Sequence, residues 1–471
     1  MKKSVKMVIV SVVFAICLVT LVIADLYLWK LVGIGTGIEA KVLASGVFVS
    51  GRVPNKVIED DLHKAVNFIH LEVDQMNNVT TATAFGLLSR TAYHRSGLGC
   101  TLLSGMTEDE LRNQLPASMI RTPKKKAPSP WPDGDRLPDD PPPEGVDMAS
   151  LNAAIDKAFK EAGSDDDKNT RAVVVVHDGR LIAERYKTSF TEYTPLLGYG
   201  MTQIAINALT GILVHKGLLT VDDSAGLSEW NESGDLRAAI TMDHLMRMTS
   251  GLSFNDLKLP LRDTVIMHSR ADMAAYAAEK ELLNDPGEHW SYSNGAVNIV
   301  SKIIRRTLET TGSEYLSFPR TELFGRIGMQ RAVLEPDASG TFIGSTYMYA
   351  TARDWARLGM LYLNDGVWNG ERIFPADWVE YSTRPTLASQ GGMYGALVWL
   401  HPDGLSSAES WRPSALPGDS FFAIGHNGQS LTVIPSKKLV IVRLGMTKVA
   451  HNWNLEAFLL DIIDSLSDDA L

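Results

Sequence analysis

The strongest feature of the polarity pattern lies at the start of the chain. Lys2, Lys3 and Lys6 precede an unbroken apolar run from Met7 to Ala24, which Asp25 ends. A run of 18 residues lies on the border between a signal-peptide core and a bilayer span, and it exceeds the roughly 7–15 residues usual for a signal core. The pattern therefore predicts an N-terminal transmembrane helix, with residues 1–30 as the anchor segment. The lysines should stay cytoplasmic and everything after Ala24 should lie outside. Single-pass anchoring in the inner membrane through residues 7–24, with the remainder in the periplasm, is the expectation. Val22 and Ala24 are small residues ahead of a candidate cleavage point, so a cleaved signal and secretion stand as the alternative.

Residues 31–120 have mixed polarity and read as a juxtamembrane extension, with a helical pattern over Lys56–Asn77. Pro123, Pro128, Pro130, Pro132, Pro138 and Pro141–Pro143 then crowd one stretch. Prolines lack the N–H that helix and sheet require, so 121–147 reads as an extended, semi-rigid connector. The main domain is expected over 148–471. It opens with a helix pattern over Met148–Ala162. The β-branched runs Ala172–Val176 and Leu181–Tyr186 follow, joined through Asp178-Gly179 as a hairpin. Near the far end, Leu431–Ile434 and Leu439–Leu444 form a second strand pair, followed by an amphipathic helix over Asn454–Leu466. Residues 201–370 between them are mostly helical in pattern. Strands from both chain ends around a helical insertion predict an α+β fold: an antiparallel sheet flanked by terminal helices, with an inserted helical subdomain.

Composition removes several classes of function. The apolar share of 45% and charged share of 21% are those of a globular chain. The net charge of −10 and the lack of a basic stripe argue against nucleic acid as a partner, since phosphate binding needs clustered Lys and Arg. Cys17 lies in the apolar run, which leaves Cys100 without an intrachain partner and predicts a buried thiol. No His/Cys/Asp/Glu spacing suits zinc, and no cofactor is expected. His177, His215 and His401 are isolated and are assigned to surface or loops.

Three segments carry the chemistry. Pro195-Leu196-Leu197-Gly198-Tyr199-Gly200-Met201-Thr202-Gln203 leads into a helix over Ile204–Lys216. Tyr292-Ser293-Asn294 follows Asp285-Pro286-Gly287, and Gly425-His426-Asn427-Gly428-Gln429 precedes the last strand pair. In this order they resemble the motifs of the penicillin-recognising serine hydrolases, the β-lactamase-related family: Ser-x-x-Lys at a helix start, Tyr-x-Asn on a loop, and His-x-Gly beside the site. The resemblance spans roughly 150–450. It extends to His244–Leu252 and Tyr349–Gly359, the latter similar to a segment of the class C β-lactamase-like, esterase and 6-aminohexanoate-dimer-hydrolase-like branch. Gly46–Arg52 and Arg90–Cys100 resemble the extension of a membrane-anchored subgroup. A β-lactamase/transpeptidase-like fold is implied, with Tyr292 sharing proton transfer and Asn294, His426 and Gly428 lining a ligand pocket.

The motif itself is broken. Serine needs an adjacent base to accept its proton, and a lysine three residues along the same helix face supplies it. Gly200 stands at the nucleophile position and Gln203 at the lysine position. Glycine has no side chain to attack with, and glutamine is neutral. No serine precedes any lysine by three residues, and no Gly-x-Ser-x-Gly elbow occurs. Thr202 is about 200° round the helix from Gly200 and should face away. As single residues, Gly200 could be a turn glycine and Gln203 an ordinary helix former; with the neighbouring motifs they read as a degenerate active site. The expectation is a hydrolase homologue that binds a small-molecule or peptide-like ligand, or a protein partner, without serine acylation. Two alternatives stand beside it: an active amide or ester hydrolase with a non-standard nucleophile, and an architectural envelope domain. If the rest of the site is intact, Gly200→Ser with Gln203→Lys should restore hydrolysis of an activated ester.

Overall fold

The structure is a computed structural model with full side chains, and it describes residues 27–62, 68–114, 129–137, 141, 143–161, 168–255, 262–405, 412–449 and 452–466. The apolar run Met7–Ala24 lies outside the described residues. The first described helix, α1 (Tyr27–Phe48), is also apolar enough to be a membrane span or signal sequence, but 67% of its apolar window is buried inside the protein. Its small residues explain the packing. Ala40 and Ala44 let the helix settle against Ala82, Ala92 and Cys100 of a four-stranded antiparallel sheet. That sheet runs in simple order: β1 (Ile69–Asp74), β2 (Val79–Ala84), β3 (Leu88–Arg95) and β4 (Gly99–Leu102). Cys100 is buried and free, as its isolation in the sequence predicts. The helix expected over Lys56–Asn77 is corrected: a short helix spans Pro54–Asp61, and Ile69–Asp74 is a strand. The alternation of Ile69, Leu71 and Val73 is the period-2 signal that the helical reading overrode.

The main sheet has five antiparallel strands. In chain order they are β5 (Thr170–His177), β6 (Arg180–Tyr186), β7 (Phe421–Gly425), β8 (Gln429–Ile434) and β9 (Leu439–Gly445), arranged β7-β8-β9-β5-β6. Both ends of the main domain thus meet in one sheet, where Leu439 opposes His177 and Val440 opposes Val176. Every residue of β5 is buried, which accounts for its unbroken Val173–Val176 run. Asp178 and Gly179 turn the β5–β6 hairpin with positive φ, as an Asp-Gly turn requires. Edge strand β7 escaped the sequence reading because Phe421-Phe422-Ala423-Ile424-Gly425 is short and does not alternate.

Terminal helices α2 (Met148–Phe159) and α6 (Leu455–Ile463) pack together, and α2 also lies against β5. The inserted helical part contains α3 (Thr202–His215) and α4 (Asn294–Thr310). Helix α5 (Ala352–Leu363) follows it and packs on β8 and β9. Almost all of α3 is buried, so its first turn is fixed from every side. Residues 129–137 of the proline-rich stretch are tied to the main domain. Arg357, itself buried, donates to Pro132 O at 2.6 Å and Gly134 O at 2.7 Å and sits over the Trp131 ring.

The N-terminal unit joins the main domain through two buried ionic contacts. Lys41 of α1 pairs with Glu335, whose carboxylate also accepts from Ser45 Oγ at 2.9 Å and from Cys100 N at 2.6 Å. Asp61 accepts from both Arg52 and Arg171. Burial raises the pKa of Glu335, against the attraction of Lys41.

Candidate active site

Helix α3 opens through a tight turn over Tyr199–Met201. Tyr199 has φ +49, a conformation uncommon for an aromatic residue and concentrated at functional sites. The chain is held here by a close approach from β7. A Cβ on Gly200 would stand 2.5 Å from the carbonyl oxygen of Ile424. A Cβ on Gly425 would collide with Gly198 O. The two glycine-bearing segments therefore fit because both lack side chains. This also revises the expectation about Gly200→Ser: the space that a serine Cβ needs is occupied by backbone, so β7 or the turn must move first.

One turn on, Gln203 is 2% exposed and clamped between two phenols. Tyr394 Oη donates to Gln203 Oε1 at 3.0 Å, and Gln203 Nε2 donates to Tyr292 Oη at 2.6 Å. Tyr292 Oη lies 3.5 Å from Asn294 Oδ1, and Asn294 Nδ2 donates to Thr264 Oγ1 at 3.0 Å. Burial holds the Tyr394 phenol well above its ordinary pKa, so it remains a donor. Gln203, Tyr292 and Asn294 thus meet in one hydrogen-bonded network. Trp399 stacks on Tyr292 at 5.6 Å, and Trp290 meets Trp399 edge-on at 6.2 Å. Tyr394, Trp290 and Trp399 were not picked out in the sequence; the Gly-rich stretch around Tyr394 was the available signal.

The second motif sits differently from its sequence reading. Ser293 caps α4 by accepting from Ala296 N, and Asn294 is the first residue of that helix. Asn294 is therefore aimed by a helix start rather than by a β-turn-like loop. The third motif forms the tight turn between β7 and β8. His426 is exposed, with its ring edge-on to Tyr199 at 5.5 Å. Gly428 has φ +80, and a Cβ there would lie 2.5 Å from Arg443 Nη1. Arg443 is fully buried and donates to Gly428 O at 2.9 Å, which accounts for this glycine by packing. Burial lowers the Arg443 pKa to about 9. Thr202 turns away from the site, as expected, and donates to Thr346 O at 2.9 Å. His177 and His401 are buried rather than superficial; His401 Nε2 lies 2.7 Å from Arg412 O. His215 is exposed.

Among the described residues, no group of three or more His, Cys, Asp or Glu is placed to hold a metal ion. The described site has neither a hydroxyl at position 200 nor an amine at position 203.

Comparison with known proteins identifies the family and the fold. Residues 155–452 match the Beta-lactamase family. The 6-aminohexanoate-dimer hydrolase of Paenarthrobacter ureafaciens is 23% identical over 293 residues, covering 58% of this chain and 72% of that protein. A penicillin-binding protein homolog from Caulobacter crescentus superposes with a TM-score of 0.52 at 15% identity, covering 69% of this chain and 97% of that one. A family VIII carboxylesterase gives a TM-score of 0.52 at 14% identity, covering 69% and 98%. The N-terminal unit, residues 27–114, lies outside the family match. The chain belongs to the β-lactamase family of serine hydrolases and carries its fold, with Gly200 and Gln203 where the family's Ser-x-x-Lys motif is expected.

Proposed function

We propose that this protein is a catalytically impaired member of its family, anchored in the inner membrane, whose periplasmic domain binds a ligand or partner without acylation. The observation that carries the reading is the contact at Gly200. The place of a nucleophile's Cβ lies 2.5 Å from Ile424 O, so both the attacking group and the room for it are missing. Gln203 supports it, because its amide is satisfied by Tyr292 and Tyr394 and a neutral amide accepts no proton from a nucleophile. Tyr292, Asn294 and the Trp290–Trp399 pair supply the mix of convergent polar groups and aromatic wall typical of small-molecule sites. The Lys-flanked run Met7–Ala24 supports the anchoring and orientation.

The test is calorimetric titration of the detergent-solubilised full chain with the 6-aminohexanoate dimer and with short peptide amides. Saturable binding without product, lost in Asn294→Ala, is the expected result. Turnover would overturn the impaired-enzyme reading. The closure at Ile424 also favours a second reading, in which the domain is an architectural surface for another envelope protein. Absence of any binding, with partner capture unaffected by Asn294→Ala, would put that reading first.

A further inference from the structure

The N-terminal unit carries an apolar surface that its own packing does not use. At the start of α1, Tyr27, Leu28 and Trp29 are all exposed. Beside them lies the tip of the β2–β3 hairpin, where Phe85 is 56% and Leu87 77% exposed. Phe68, at the start of β1, stacks on Phe85 at 4.5 Å, and Trp29 meets the same ring edge-on at 6.1 Å. Trp29, Phe68 and Phe85 thus form one exposed aromatic cluster, with exposed Tyr27, Leu28 and Leu87 next to it in the chain.

The turn itself is built against local preference. Phe85 and Gly86 occupy its first two positions with φ +51 and +70. The loop has three residues, Phe85 to Leu87, because Ala84 pairs with Leu88; positive φ favours Asn, Asp or Gly, and a bulky residue there is strained. In water, Phe85 therefore costs stability twice, through strain and through exposure.

Chain connectivity identifies the occupant. The apolar run ends at Ala24, three residues before Tyr27, so the patch lies where the chain emerges from a bilayer. A run of 18 apolar residues is long enough to cross the hydrocarbon layer, which would bring Tyr27–Lys30 near the interfacial level. Trp, Tyr and Phe side chains favour that level, and Lys30 on the same turn is exposed, where it can reach the phosphates. From Gly33 onward α1 is packed inside the protein. The helix itself is therefore not the span; its first turn is the transition from lipid to protein.

We propose that the β2–β3 hairpin tip, Phe68 and the first turn of α1 seat in the interfacial layer of the bilayer that holds the apolar run. The N-terminal unit is thereby pinned against the membrane instead of hanging from a flexible stalk. This proposal rests on the membrane-anchored reading above.

The test uses the full chain in vesicles of phosphatidylethanolamine with a minor share of phosphatidylglycerol, in a Cys17→Ser background. Cys100 is buried and leaves surface labels to introduced cysteines. A nitroxide is placed through Leu87→Cys, or through Met76→Cys at the other end of the β1–β2 hairpin, where Met76 is 92% exposed. Flotation with the lipid is measured alongside. The expected result is that position 87 collides with oxygen in preference to an aqueous nickel chelate, whereas position 76 shows the reverse. Phe85→Asn suits the turn, so the protein should be no less stable, yet the label at position 87 should lose its oxygen preference. Aqueous exposure at both positions in chains that float would overturn the proposal and leave the anchor reading standing. Failure to float would overturn both. Dipolar broadening between labels at position 87 without oxygen preference would assign the patch to a second copy and equally overturn the proposal.

Discussion

A serine and a lysine do meet on one helix face in this protein, though not at the helix where the family motif belongs. In α1, Lys41 Nζ donates to Ser45 Oγ at 3.1 Å, one turn away, and Glu335 accepts from both. All three are buried. At the start of α3, the motif positions hold Gly200 and Gln203, and the partners of Gln203 are two tyrosines. A lysine becomes a base only by giving up its proton, and a carboxylate in direct contact opposes that loss. Adjacency of serine and lysine is therefore insufficient: the α1 pair is a buried strut between two units. At the start of α3 the two motif positions carry neither a hydroxyl nor an amine. One region uses Lys and Ser to hold the structure together, while the other places a glycine and a glutamine at the opening of its helix.

The largest expected effect tests the strut. Lys41→Met leaves the Glu335 carboxylate buried without its partner, and breaking such pairs costs about 3–5 kcal/mol. Denaturant unfolding of the full chain should show a loss of that order. Lys41→Met with Glu335→Leu should recover much of it, because an apolar pair leaves no unpaired charge. If Lys41→Met is nearly neutral, the contact between the units does not depend on this pair, and the contrast with α3 fails.

The next effect is steric. Gly200→Ser forces a Cβ against Ile424 O and should destabilise by about 1–3 kcal/mol, the usual range for overpacking. Adding Gln203→Lys should not give hydrolysis of a nitrophenyl ester, because the strand still occupies the serine's place. Activity in the double variant with normal stability would show that β7 yields easily. It would also show that the site is only two side chains from function.

The smallest effect is a pH slope. Burial lowers the His268 pKa from 6.5 to about 4, and the nearby Lys41 charge adds to the depression. His268 also packs edge-on to Tyr347, whose ring lies beneath Lys41. The unfolded chain takes up this proton first as pH falls, so stability is full above pH 6.5 and declines toward pH 4. Because His268 as a residue is only half-buried, the contribution is set at about 1–2 kcal/mol. In His268→Gln the stability slope between those pH values should flatten by that amount. An unchanged slope would mean that His268 titrates alike in both states.

Much of the main domain was legible because its signals are local. Val173–Val176 reads as a buried strand, Asp178-Gly179 as its turn, and the motif order placed Gly200, Tyr292 and His426 around one helix start. What escaped was set by tertiary contact. Ile424 O bearing on Gly200 is a backbone approach with no sequence pattern, and Tyr394 reaches Gln203 from 191 residues away. The Lys41–Glu335 pair spans 294 residues and joins a helix outside the family match to the main domain. Ile69–Asp74 was misread because a neighbouring helical pattern outweighed a short alternation.

A site without a hydroxyl at position 200 should resist acylation, which intact-mass spectrometry after fluorophosphonate treatment reads out. The full chain in detergent is incubated with the probe, beside an active family member as positive control. The account expects the chain's mass to stay unchanged while the control is modified stoichiometrically. A stoichiometric adduct on this protein, mapped to any serine, threonine or tyrosine around α3, would contradict it.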